Sequence, residues 1–230
     1  MARKRRRNKK LTKQLVGLGL LAALTAGVVA YTLAPTSTPQ TAYVAPRPTV
    51  TPSATVKPIT FAAYGDSISN GNSPDFAAGK FGTLSWPSYV GPATFAGGWA
   101  KGGVQTAEML AHAKPVTADV LILLAGTNDY GHGIPFAVTS ANLDGIVKET
   151  GIGRVIVSAV PPNDSMPEAA VAFNEKLGRL ASARGWKFVD PMAGVRAGDV
   201  YAPGMTRDGI HPTEAAARII GETIRATLVS

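Results

Sequence analysis

Apolar residues fall into two kinds of run along this chain. From Ile59 onward, Ile59 to Tyr64, Asp119 to Ala125, Arg154 to Val160 and Lys187 to Asp190 are short, apolar and rich in β-branched residues, the pattern of buried strands. Between them, Val104 to Ala113, Phe136 to Thr150, Glu168 to Arg184 and Pro212 to Leu228 carry apolar positions at helical spacing. Gly151 and Gly185 stand as helix stops and Pro212 at a helix start. Strands alternating with helices predict a parallel sheet covered on both faces.

The N-terminal quarter follows another pattern. Residues 1–14 form a basic tail, and Leu15 to Ala34 form an apolar run whose only polar side chains are Thr25, Tyr31 and Thr32. About 20 apolar residues suffice to cross a hydrocarbon core about 30 Å thick, and the positive-inside rule would keep the Arg/Lys cluster cytoplasmic. The run is long for a cleaved signal sequence, which favours a retained anchor; a signal peptide cut after Val28-Val29-Ala30 is the alternative. Residues 35–58 contain six prolines among Thr, Ser, Ala and Val, the composition of an extended linker. Residues 59–230 are then a folded domain outside the membrane, tethered by a single span or secreted after cleavage.

Charge must be read against this division. The chain carries a formal net charge of +8, but residues 1–58 hold ten of the 23 Lys/Arg and no acidic residue. The domain keeps thirteen basic residues against fifteen acidic ones, a net of −2. Basicity therefore belongs to the tail and gives no ground for a nucleic-acid partner. Cysteine is absent, which removes disulfides, zinc thiolate sites and cysteine nucleophiles from consideration.

Ligands of open parallel sheets bind beyond the carboxyl ends of the strands. Three polar blocks sit in such places or before the last helix: Gly65-Asp66-Ser67-Ile68-Ser69, Gly126-Thr127-Asn128-Asp129 and Asp208-Gly209-Ile210-His211-Pro212. Singly, each has an ordinary explanation as a turn, an Asn-containing loop or a helix start. Together they supply a serine, a histidine to accept its proton, and an acid to fix the histidine's tautomer. Gly209 and Pro212 favour a tight turn that would bring Asp208 and His211 together. Asp66 and Asp129 are expected as hydrogen-bond acceptors at their turns, with no metal between them. His112 is expected on a helix surface, and His132 at the pocket mouth. Trp86, Trp99 and Trp186 are expected in packing, with Trp99 close enough to Gly103 to border an acyl site.

GDSIS, a glycine ahead of a helix, GTND and DGIHP, in that order over residues 59–230, resemble the sequence blocks of the SGNH (GDSL-like) hydrolases. The resemblance implies a flavodoxin-like three-layer α/β/α fold with a mainly parallel five-stranded sheet, and ester hydrolysis through an acyl-enzyme without a cofactor. It places the nucleophile on Ser67, the histidine on His211 and the supporting acid on Asp208. The oxyanion hole falls on the Ser67 N–H, a glycine N–H and the Asn128 amide. Gly102 and Gly103 adjoin, and the pattern of glycine, two residues, Thr and a helix selects Gly103. Ile68-Ser69 departs from the common Leu at this place. Acyl transfer to an acceptor other than water would use the same triad. A non-catalytic binding module on the same fold would be expected to lack one of these groups. With no long lid between the blocks, the expected substrate is a small-molecule or glycan ester with a short acyl group, such as an O-acetyl.

Overall fold

The computed structural model describes residues 58–228. The basic tail, the apolar run at 15–34 and all of the linker but its last residue lie outside the described residues. Among those described, no helix is long and apolar enough to cross a membrane.

Five strands form one sheet: β1 (Thr60–Gly65), β2 (Thr94–Ala100), β3 (Val120–Leu124), β4 (Val155–Ser158) and β5 (Lys187–Val189). Their order is β2-β1-β3-β4-β5 and every pairing is parallel. The α-helices are α1 (Ser67–Asn70), α2 (Thr106–Ala111), α3 (Thr127–Gly131), α4 (Phe136–Thr150), α5 (Pro167–Arg184) and α6 (Glu214–Leu228). Two 3-10 turns, Trp86–Tyr89 and Pro191–Gly194, and a small antiparallel hairpin of β6 (Arg196–Ala197) and β7 (Val200–Tyr201) complete the domain.

Strand alternation divides the interior into two cores. Phe61, Ala63, Ile122, Leu124 and Ile156 point to one face, where Ala216, Ile220 and Ile224 of α6 and the indole of Trp86 cover them. Ala62, Tyr64, Leu121, Leu123, Val155 and Val157 point to the other, against Met109 of α2, Leu143 and Ile146 of α4, and Phe173 and Leu177 of α5. This is the expected three-layer α/β/α arrangement. α4 and α5 end where glycines were expected to stop them, with Gly151 and Gly185 both left-handed at the C-caps.

Three differences from the expected elements have physical causes. β2 was not expected as a strand, because four of its seven residues are Ala or Gly and its apolar signal is weak. Its glycines admit an edge strand that irregularly hugs β1: the register slips by one residue between Phe61↔Phe95 and Ala62↔Gly97. Gly98, at φ +130°, lies so close that a Cβ would collide with the Ala63 backbone. GTND, expected as a loop, winds into the one-turn helix α3. The last helix starts at Glu214, two residues after Pro212.

Candidate active site

The carboxyl ends of β1, β2 and β3 converge on Ser67. β1 ends in Gly65, the chain turns at Asp66, and Ser67 opens α1. Gly65 permits the turn to close, since a Cβ there would collide with the Ser69 side chain. Asp66 is fully buried, and its Oδ1 accepts the Ile68 N–H at 3.0 Å, capping α1. Its Oδ2 lies beside Thr127 without a well-formed hydrogen bond. Burial pushes the Asp66 carboxyl up to about 6, against the opposing pull of the Ile68 N–H and of nearby Thr127 and His211.

The second block builds its geometry locally. Asp208 Oδ1 accepts the backbone N–H groups of Ile210 (3.1 Å) and His211 (2.8 Å), and its Oδ2 lies 2.7 Å from His211 Nδ1. Burial raises the Asp208 pKa, but hydrogen bonds from the His211 backbone and ring and the Ile210 backbone outweigh it. The net result is about 2, so the group is a carboxylate at neutral pH. A carboxylate only accepts, so Nδ1 carries the imidazole proton and Nε2 is left as an acceptor. Ser67 Oγ lies 3.0 Å from that Nε2 and donates to it, closing a Ser67–His211–Asp208 chain between residues 144 apart in sequence. The loop is held from outside as well: Tyr201 OH donates to the Ile210 carbonyl at 2.9 Å, and Asp164 N–H to that of Gly209 at 2.8 Å.

The third block is wired into the interior. Gly126 takes φ +114° at the α3 N-cap, and a Cβ there would run into the Phe173 ring. Asn128 Nδ2 donates to the Val104 carbonyl at 2.8 Å, which fixes the amide plane and leaves its other hydrogen to point elsewhere. Asp129, fully buried, accepts from Thr106 N–H (2.9 Å), Thr106 Oγ1 (2.5 Å) and Thr139 Oγ1 (2.6 Å), tying α3 to α2 and α4. Gly102 stands against the nucleophile: a Cβ on it would lie 3.9 Å from Ser67 Cβ, and the Gly103 N–H belongs to the peptide that leaves this α-carbon. Gly103, at φ +78°, has open space where its Cβ would be.

The remaining expected residues take quieter places. His132 Nδ1 donates to the Asn128 carbonyl at 2.7 Å from an exposed ring at the end of α3. His112 is exposed and stacks on Trp99, ring centroids 4.1 Å apart at 8°. Trp86 is fully buried, with Nε1 donating to Ser69 Oγ at 2.9 Å. That bond gives the buried Ser69 hydroxyl a partner. Among the described residues, no group of three or more His, Asp or Glu side chains is placed to hold a metal ion. Sequence reasoning missed the anchors Val104, Asp164 and Tyr201, which act through backbone groups or lie in elements too short for a periodic signal.

Comparison with known proteins bears on this geometry. The model of the GDSL-like lipase/acylhydrolase family matches residues 63–219. No curated protein matches the chain. Similar solved structures include a GDSL-like lipase from Bacteroides thetaiotaomicron, 19% identical with TM-score 0.58, covering 74% of this chain and 88% of that one. A member of the lipolytic G-D-S-L family from Veillonella parvula is 18% identical with TM-score 0.54, covering 74% and 97%. A catalytic mutant of an acetylxylan esterase from Geobacillus stearothermophilus is 15% identical with TM-score 0.58, covering 74% and 94%. At these identities the solved structures speak to the fold.

Proposed function

Since the chain belongs to the GDSL-like lipase/acylhydrolase family, and is thus a hydrolase of the SGNH type, we propose that Ser67 is its nucleophile, His211 its general base and Asp208 the group that orients the histidine. Ser67 Oγ attacks the ester carbonyl while its proton passes to His211 Nε2, and Asp208 stabilises the imidazolium so formed. The carbonyl oxygen, now negative, is met by the Ser67 and Gly103 N–H groups and by the free hydrogen of the Asn128 amide. Collapse expels the alcohol, which takes the proton from His211 and leaves an acyl-Ser67 ester. Water, deprotonated by His211, then releases the carboxylic acid and restores the serine.

The observation that carries this reading is the continuous hydrogen-bonded path from Ser67 Oγ through His211 to Asp208, at 3.0 and 2.7 Å. The substrate class we infer is a short acyl ester, including O-acetyl groups on carbohydrate. The likeness of fold to an acetylxylan esterase supports that choice, as does the lack of a lid segment between the three blocks. A domain outside the membrane, held by the apolar run at 15–34 or released after its cleavage, would meet such esters on surface or environmental glycans.

The deciding experiment follows hydrolysis of p-nitrophenyl esters of increasing chain length and acetate release from acetylated xylan. Acetyl and butyryl esters should turn over fastest, and Ser67→Ala should abolish turnover while leaving the thermal transition in place. Retained activity in Ser67→Ala would remove the nucleophile assignment, and a preference for long acyl chains would remove the substrate class. Protease added to intact, wall-stripped cells should digest the domain if it lies outside.

A further inference from the structure

Among the described residues, the buried side-chain atoms that meet no hydrogen-bond partner in the protein are Asp66 Oδ2, Thr127 Oγ1 and Tyr130 OH. Chain position already links them. Asp66 immediately precedes Ser67, while Thr127 and Tyr130 stand three apart on one face of α3, with Asn128 directly after Thr127.

Their surroundings link them more closely. The Asp66 carboxyl lies beside Thr127. Burial raises the Tyr130 hydroxyl, the neighbouring Asn163 side chain opposes that rise, and the Asp66 charge adds to it, so the carboxyl and the phenol share one region of the interior. The Tyr130 ring is held against Phe173, centroids 5.3 Å apart at 46°. Asn163 is itself buried, and its Oδ1 accepts the Ser165 N–H at 3.1 Å, which leaves the amide nitrogen to face Tyr130.

A buried polar atom left unanswered costs stability, and three in one region are better answered by one shared partner than by three separate penalties. A metal ion would find a single carboxylate there, and an anion would be repelled by it. Water suits the set. Its hydrogen can go to the Asp66 carboxylate and its oxygen can accept from the Thr127 and Tyr130 hydroxyls, about three bonds being usual for a buried water. The Tyr130 oxygen stays available to the Asn163 amide. We propose that Asp66, Thr127 and Tyr130 bind one buried water molecule, which braces the turn carrying Ser67 against the helix carrying Asn128. The three act through Ser67 and Asn128 and are thus positioning residues; their effect on catalysis rests on the roles proposed above for those two.

Thr127→Val and Tyr130→Phe each delete a hydroxyl and keep the shape of the side chain, and the sign of the change in Tm of the full-length protein is the first test. A hydroxyl with no partner is a burden whose removal raises Tm, whereas hydroxyls bound to a common water should each lower it by a few degrees when removed. Since losing one hydroxyl already loosens the water, the double variant should lower Tm by less than the sum of the single shifts. Well below Tm, each single variant should lower kcat about three- to tenfold with KM within about twofold, a split that a loss of stability alone would not produce. A high-resolution crystal structure should place a water within about 3.2 Å of all three oxygens. A rise in Tm, additive shifts, an unchanged kcat or no water among the three oxygens would overturn the proposal. Ser67→Ala, measured alongside, keeps the two readings apart: activity retained there removes the nucleophile, while the Tm shifts and the crystal structure still decide the water.

Discussion

The two turns on either side of the proposed site, Asp208–His211 and Gly126–Asp129, are built by opposite means. The Asp208–His211 turn supplies its own hydrogen bonds, and its side chains stand in the open, Asp208 52% and His211 30% exposed. The Gly126–Asp129 turn is buried and borrows its partners from Val104, Thr106 and Thr139, on other elements. In the proposed mechanism, a base that must gain and lose a proton works from a solvated turn with a charged acid beside it. The proposed oxyanion donor, which must hold still while charge develops on an oxygen, works from a rigid, water-poor wall. Chemistry and stability should then be separable on the first arm and entangled on the second.

The largest effect expected is on the exposed arm. His211→Ala should lower kcat by about 10⁴-fold or more, because Ser67 loses its proton acceptor. Stability should fall by no more than about 1 kcal/mol, the worth of the hydrogen bonds that the half-buried ring makes to Asp208 and Ser67. A large drop in Tm would break the contrast between the arms. On the buried arm, Asn128→Ala should lower kcat by about 100- to 1,000-fold with a much smaller change in KM, since its donor strengthens chiefly in the transition state. Loss of the Val104 bond should also lower Tm by a few degrees, worth about 1 kcal/mol. An unchanged kcat would reduce the turn to a structural role.

The smallest effect sharpens the contrast through pH. Burial raises the Asp66 carboxyl in the folded protein to about 6 from its ordinary value of 3.8, so between these values the folded protein binds more protons than the unfolded one. Stability should accordingly fall as pH rises from about 4 to about 6, by up to about 3 kcal/mol. Asp66→Asn, which keeps an acceptor for Ile68, should flatten that part of the curve in denaturant titrations at stepped pH. Asp208, with its pKa lowered to about 2, acts in the other direction: its contribution is complete above about pH 4 and is lost as pH falls toward 2. A wild-type curve that rises between pH 4 and 6 would contradict the buried carboxyl.

How far the sequence foretold this site follows the same division. The DGIHP turn was legible because its partners lie within four residues, so a motif carries its geometry with it. The four apolar strands, the three long helices and the shorter α2 were legible because each buries a face with its own period. β2 was not, since its role at the edge rests on small residues that fit closely against β1. Nor were the ties from Asp129 to Thr106 and Thr139, which depend on where α2 and α4 come to rest. The order of blocks could suggest that Asn128 reaches the site; only the folded chain shows Val104 holding its amide.

Gly126 bears on the protein's history as well as its shape. Any replacement meets the Phe173 ring, so a lineage could enlarge this position only after Phe173 had first become smaller, at a cost to the core beneath α5. Even that sequence of steps would leave the new residue at φ +114°, which L side chains rarely adopt. The position is thus shut by two locks, and opening one does not open the other. Descendants of this chain can drift widely over the helices and the linker, while Gly126 should pass unchanged from parent to offspring.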